Sequence, residues 1–67
     1  MAYEQLDKFT DTIADRYKRT QNESLIMVLA DYYSTALSHS KFKAQREHCK
    51  QVIKELSPSF YQGFFKK

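Results

Sequence analysis

The sequence predicts an all-α fold, a small three-helix bundle with a short C-terminal helical turn. Three observations predict it. The chain has 67 residues with a single glycine and a single proline, too few turn formers for a sandwich or a small barrel. Apolar residues recur three or four apart along most of its length, the helical spacing. The apolar (42%) and charged (28%) fractions are those of a globular chain rather than a disordered one. At this length the chain holds one domain, residues 1–67.

The first helix is expected over residues 2–20. Tyr3, Leu6, Phe9, Ile13 and Tyr17 share one face, and Glu4, Asp7, Lys8, Asp11, Asp15, Lys18 and Arg19 fill the other. Glu4 with Lys8 and Asp15 with Arg19 stand four apart in the favoured acid-first order, each pair worth ~0.3 kcal/mol. Thr20-Gln21-Asn22 breaks the helix, and Asn22 is placed to cap the next one with its side-chain oxygen. Leu25-Ile26-Met27-Val28-Leu29-Ala30 is the most apolar stretch, and it continues through Tyr32, Tyr33, Ala36 and Leu37. Its apolar arc covers half of the helix or more, so this helix must touch neighbours on two sides. It is expected at the centre of the fold, as the most buried element.

Ser38-His39-Ser40 marks a turn or a bend, because serine hydroxyls compete for the backbone. The third helix carries Phe42, Cys49, Val52, Ile53 and Leu56 on one face. It ends at Leu56, since Ser57 precedes Pro58 and the residue before proline avoids the helical region. Ser57-Pro58 then starts a short last turn, which Gly63 is expected to stop.

Several function classes are excluded by what the chain lacks. Cys49 is the sole cysteine and can form no bridge within the chain. No apolar run approaches the ~20 residues that span a bilayer. The opening Met-Ala-Tyr-Glu-Gln-Leu-Asp lacks the basic and apolar blocks of a secretory signal, so a cytoplasmic protein is expected. One glycine cannot build a phosphate-cradling loop. His48 and Cys49 are adjacent, and helical neighbours diverge by about 100°, which keeps the histidine from activating the thiol. Cys49 falls on the apolar face, where a thiol acts as a small hydrophobe. His39, His48 and Cys49 fall short of the four ligands of a structural zinc site. No catalytic, cofactor-binding or metal residue is therefore predicted, and the chain reads as a non-enzyme without cofactors.

Two binding surfaces are predicted instead. The net charge of +3 is unevenly spread: residues 1–37 hold four bases and six acids, and residues 38–67 hold seven bases and two acids. Within the third helix Lys43, Arg46, Lys50 and Lys54 step by three, four and four into a basic ridge. Such a ridge is either a solvated face or a footprint for phosphates. The second surface is aromatic. Five tyrosines and five phenylalanines are many for 67 residues, and Phe60, Tyr61, Phe64 and Phe65 crowd the C-terminal end. Either this tail folds back over the open end of the helices, or part of it anchors a partner. Tyr32 and Tyr33 are the second aromatic candidates, since adjacent helical residues cannot both face the core. Phe64-Phe65-Lys66-Lys67 also joins apolar anchors to bases, as membrane-surface segments do, although it is too short for attachment alone.

Tyr32-Tyr33-Ser34 and Leu56-Ser57-Pro58-Ser59-Phe60-Tyr61 faintly resemble elements of the small helical Hha/YmoA nucleoid modulators. The Asp-His-Arg stretch that follows the aromatic-serine element in that family is missing here, so no residue role is carried over.

The expected function is non-enzymatic protein binding. A small adaptor, inhibitor or regulator would dock on a larger intracellular protein or complex through Tyr32, Tyr33, Phe60, Tyr61, Phe64 and Phe65, with a homodimer as a further expectation. Compact, cofactor-free chains of this kind are often carried by phages or plasmids. The alternative is a DNA- or RNA-associated accessory protein that uses Lys43, Arg46, Lys50 and Lys54.

Overall fold

A computed structural model describes residues 4–65. Four helices follow in order: α1 (Glu4–Thr20), α2 (Ser24–Ser34), α3 (Lys43–Leu56) and α4 (Pro58–Phe65), with a 3-10 turn at Ser40–Phe42 leading into α3. There is no strand among the described residues, and the all-α architecture is as the sequence predicts. The expected start of the first helix at residue 2, Tyr3, the side chain of Glu4 with its expected pairing to Lys8, and Lys66 and Lys67 lie outside what the structure describes.

α1 ends where Gln21 takes a left-handed conformation, φ 56°, while its N–H donates to the Tyr17 carbonyl at 2.7 Å. That geometry usually falls to glycine and strains a residue with a Cβ. Asn22 is not the cap residue of α2: Glu23 holds that position and makes no side-chain cap bond, while Asn22 Oδ1, one residue earlier, accepts from the Ser24 N–H at 3.0 Å and closes a short turn ahead of the helix. The short loop turns α2 back antiparallel to α1, and Phe9 meets Tyr32 with ring centroids 4.5 Å apart. Asp15 and Arg19 form the expected pair at 3.6 Å on the exposed side of α1.

α2 stops at Ser34 rather than running on through Leu37. Thr35 donates its hydroxyl to the Asp31 carbonyl at 2.7 Å, and Ser38 donates to the Thr35 carbonyl at 2.9 Å. The Asp31 carbonyl keeps its backbone partner, the Thr35 N–H at 2.9 Å, beside the Thr35 hydroxyl, and the Leu37 N–H reaches back to the Tyr32 carbonyl at 3.1 Å, closing the helix end. The chain turns there, and Leu37 enters the core fully buried from beyond the helix end. Between α2 and α3 there is thus a true turn, and it begins earlier than Ser38. His39 closes it, Nδ1 accepting from the Lys41 N–H at 3.2 Å.

The core joins Tyr17 from α1, Ile26 and Leu29 from α2, Leu37 from the turn, Cys49 and Ile53 from α3, and Tyr61 from α4. The hub is α3, not α2: α1, α2 and α4 all pack on it. The reason is the single-residue link at Ser57, which folds α4 straight back onto α3 and covers it on a third side. α2 buries Ile26, Leu29 and Ala30 but leaves Met27 63% and Val28 40% exposed. The molecule is small, with backbone extents of 31 × 28 × 16 Å. So small a body cannot enclose a helix that is apolar nearly all round.

Gly63 does not stop the last helix. α4 starts at Pro58 as predicted but runs through Gly63 to Phe65, eight residues in all. A Cβ at Gly63 would meet nothing within 4 Å, and its φ is not positive. Gly63→Ala is therefore expected to stabilise the fold by about 0.5–1 kcal/mol, because alanine loses less backbone freedom on entering a helix. Urea denaturation of the two proteins checks this; a destabilised alanine variant would mean that α4 bends at this position.

Candidate functional site

The structure divides the predicted aromatic set in two. Tyr32 belongs to the α1–α2 contact: it is half-buried against Phe9 and donates its hydroxyl to the Leu6 carbonyl at 3.4 Å. Its pKa is held above the usual tyrosine range, first by burial and then by the neighbouring Cys49 and Asp7. The other five predicted residues gather around α4. Phe65 lies 5.0 Å from both Tyr33 and Tyr61, ring centroid to ring centroid, and 4.8 Å from Phe64. Phe60 and Phe64, one turn apart, stack at 5.5 Å. Tyr61 is 8% exposed and part of the core. Tyr33, Phe60, Phe64 and Phe65 are half-buried. The tail thus folds back over the bundle, which is the first of its two sequence readings.

The basic ridge is not a uniform row of free charges. Lys43 is exposed. Arg46 turns back toward the chain, and its Nη1 donates to the Leu37 carbonyl at 2.9 Å and to the His39 carbonyl at 2.6 Å. It thereby satisfies carbonyls of the turn that α2's early end leaves open. Lys50 and Lys54 lie over the aromatic cluster, their Nζ atoms 5.7 Å from the Phe65 ring and 5.5 Å from the Tyr61 ring. At these distances the ring faces attract the ammonium groups. The ridge and the tail, separate in the sequence, form one basic-aromatic side of the molecule.

His48 and Cys49 point to different neighbours, as their adjacency requires. His48 Nε2 meets Asp11 Oδ1 at 2.8 Å, linking α3 to α1 beside a polar cleft that also touches Asp15, Lys18 and Glu55. Cys49 is fully buried, and its thiol donates to the Leu29 carbonyl at 3.5 Å. Burial pushes the thiol pKa up to about 11, with the Thr10 hydroxyl pulling the other way. A thiol so protonated and enclosed is unsuited to nucleophilic attack. Among the described residues no group of three or more His, Cys, Asp or Glu side chains could hold a metal ion. Nor is any described helix long and apolar enough to cross a membrane.

The exposed large apolar residues belong to the apolar face of the first helix and to the most apolar stretch of the second. Phe9 (39%), Met27 (63%) and Val28 (40%) are the exposed large hydrophobics among the described residues, and all three lie on α1 and α2. Met27 lines an open groove of about 430 Å³ with Glu23, Ser24 and Phe60. Phe9 and Val28 lie on the other side of α2, toward α1. The signal was present in the six consecutive apolar residues from Leu25 to Ala30. Such a run spreads around the whole helix at 100° per residue, so some of it faces outward unless the helix is enclosed.

No family model matches this sequence, and neither a curated protein nor a solved structure is detectably similar to it.

Proposed function

We propose that this chain is a non-enzymatic protein-binding module, a small adaptor, inhibitor or regulator that docks on a larger cytoplasmic protein. The observation that carries the reading is Met27, 63% exposed at the edge of a groove whose opposite wall is Phe60. A flexible thioether beside an aromatic ring suits an apolar side chain of a partner. Phe64, stacked behind Phe60, holds that wall in place. The groove is open along its length, which fits a protein surface better than an enclosed small molecule.

A second reading rests on Lys50 and Lys54 above the rings of Phe65 and Tyr61, a combination that also serves single-stranded nucleic acid. It has fewer free charges than the sequence suggested, because Arg46 is engaged by two carbonyls.

Affinity capture from host extract at two salt concentrations separates the two. Three proteins are compared: the native chain, Met27→Glu, and the double variant Lys50→Glu, Lys54→Glu. Glutamate is a good helix former, so Met27→Glu should keep the native circular dichroism. The expected result is a protein retained by the native chain at high salt, kept by the lysine variant and lost with Met27→Glu. Capture of nucleic acid that disappears with salt and with the lysine variant favours the second reading. Capture of the same protein by all three would remove the groove from the account.

A further inference from the structure

Charge is sorted along the α1–α2 face as well as apolar surface. On α1 the exposed residues Lys8, Thr12 and Arg16 stand four apart, a row that drifts about 40° per step toward Phe9; Asp11 and Asp15 flank its Lys8 end and line the cleft with α3, where each is engaged, by His48 and Arg19. α2 contains no base at all; Asp31 is its one charged residue, and Glu23 immediately precedes it. Between the basic edge and the acidic edge lie the exposed parts of Phe9 and Val28. The described ion pairs are Arg19–Asp15 and His48–Asp11. Lys8, Arg16, Glu23 and Asp31 take part in neither.

We propose that this face binds a second copy of the chain, with a two-fold axis running along the seam between α1 and α2. Rotation about that axis lays α1 of one copy over α2 of the other and keeps every residue at its own height. The contact of Phe9 with Tyr32 sets those heights. Lys8 is next to Phe9 and Asp31 is next to Tyr32, so Lys8 of each copy arrives level with Asp31 of the other. Toward the far end of the seam, Arg16 is seven residues beyond Phe9 and Glu23 nine residues before Tyr32, about 10 and about 14 Å away at 1.5 Å per residue. These two also come within one helical turn of each other.

The alternative two-fold, perpendicular to the helices, would lay α1 on α1 and α2 on α2 and bring like charges together. Charge thus selects one symmetry. In that arrangement each helix has antiparallel neighbours on both sides, which is the packing of an antiparallel four-helix bundle. Phe9 and Val28 from both copies then fill its centre. Met27 lies at the margin, and its groove with Phe60 faces away from the axis, so the pairing and the docking groove are independent surfaces.

Sedimentation velocity over a range of concentrations tests the pairing. The native chain is expected to sediment at twice its 8.0 kDa mass and to dissociate on dilution. Lys8→Asp and Asp31→Lys, each alone, place like charges opposite one another twice per dimer and should weaken association about tenfold. Mixing these two variants restores opposite charges at both contacts and should restore the dimer as a heterodimer. Both substitutions are on exposed positions, and circular dichroism confirms that the fold is kept. A native chain that stays monomeric at millimolar concentration overturns the proposal. So does a dimer that neither charge variant weakens, because it must then use another face. Met27→Glu should leave association within about twofold of native, so the groove can fail as a docking site while the dimer stands, or the reverse.

Discussion

Ile53→Ala is expected to destabilise the protein by about 2–5 kcal/mol, the range for removing a buried branched side chain and leaving a cavity. Ile53 is fully buried on α3, the helix on which α1, α2 and α4 all pack. A cavity there has walls contributed by several elements, and none can move in without losing other contacts. A chain of 67 residues has a total stability of only about 3–10 kcal/mol at the usual per-residue values. The variant should therefore melt at least about 10 °C lower and be partly unfolded at 37 °C. Ile53→Val removes one methylene and should cost about 0.5–1.5 kcal/mol. Urea titrations of the three proteins give these differences directly. An alanine variant within about 1 kcal/mol of native would show that α3 is not the hub.

Arg46→Ala should cost about 2 kcal/mol, whereas Lys43→Ala should stay within about 0.5 kcal/mol of native. Both residues belong to the same row in the sequence, but their surroundings differ. Arg46 Nη1 serves the carbonyls of Leu37 and His39, and Leu37 is fully buried at that turn. Removing the guanidinium leaves a partly buried carbonyl without a donor and frees the turn that seats Leu37. Lys43 is exposed on the first turn of α3. Thermal melts of the two variants provide the measurement. Equal melting temperatures would return Arg46 to the solvated ridge and make it available to phosphates.

Local structure is legible in the sequence where one short-range interaction decides it. Asn22 accepting from an early N–H of the second helix, although Glu23 is its cap residue, Pro58 opening the last one and Asp15 pairing with Arg19 all involve groups within four residues of each other. Those interactions form in much the same way whatever the rest of the chain does. The misread ends had a different origin. α2 stops at Ser34 where the Leu37 N–H turns back onto the Tyr32 carbonyl, and Arg46, from the next helix, stabilises the turn through the Leu37 and His39 carbonyls. Gly63 stays helical because Tyr61 and Phe65, on either side of it, are held in the aromatic cluster with Tyr33. The candidate site was legible in part. The aromatic residues were correctly seen as a set, but which rings remain accessible depends on what packs over them. Phe9, Met27 and Val28 satisfy every sequence criterion for a core position and still face outward.

The sequence by itself determined the helical class, the approximate limits of the helices and the separation of charge between the two halves, because each follows from residue order and short-range physical chemistry. The tertiary structure alone decided which helix is surrounded, which apolar side chains are left uncovered, and how Lys50 and Lys54 meet the rings of α4. Those outcomes depend on how four short helices share too little interior. A residue's hydropathy measures its gain on burial, but the number of buried places is limited by the size of the body. In a chain this small, packing geometry chooses which apolar residues go without.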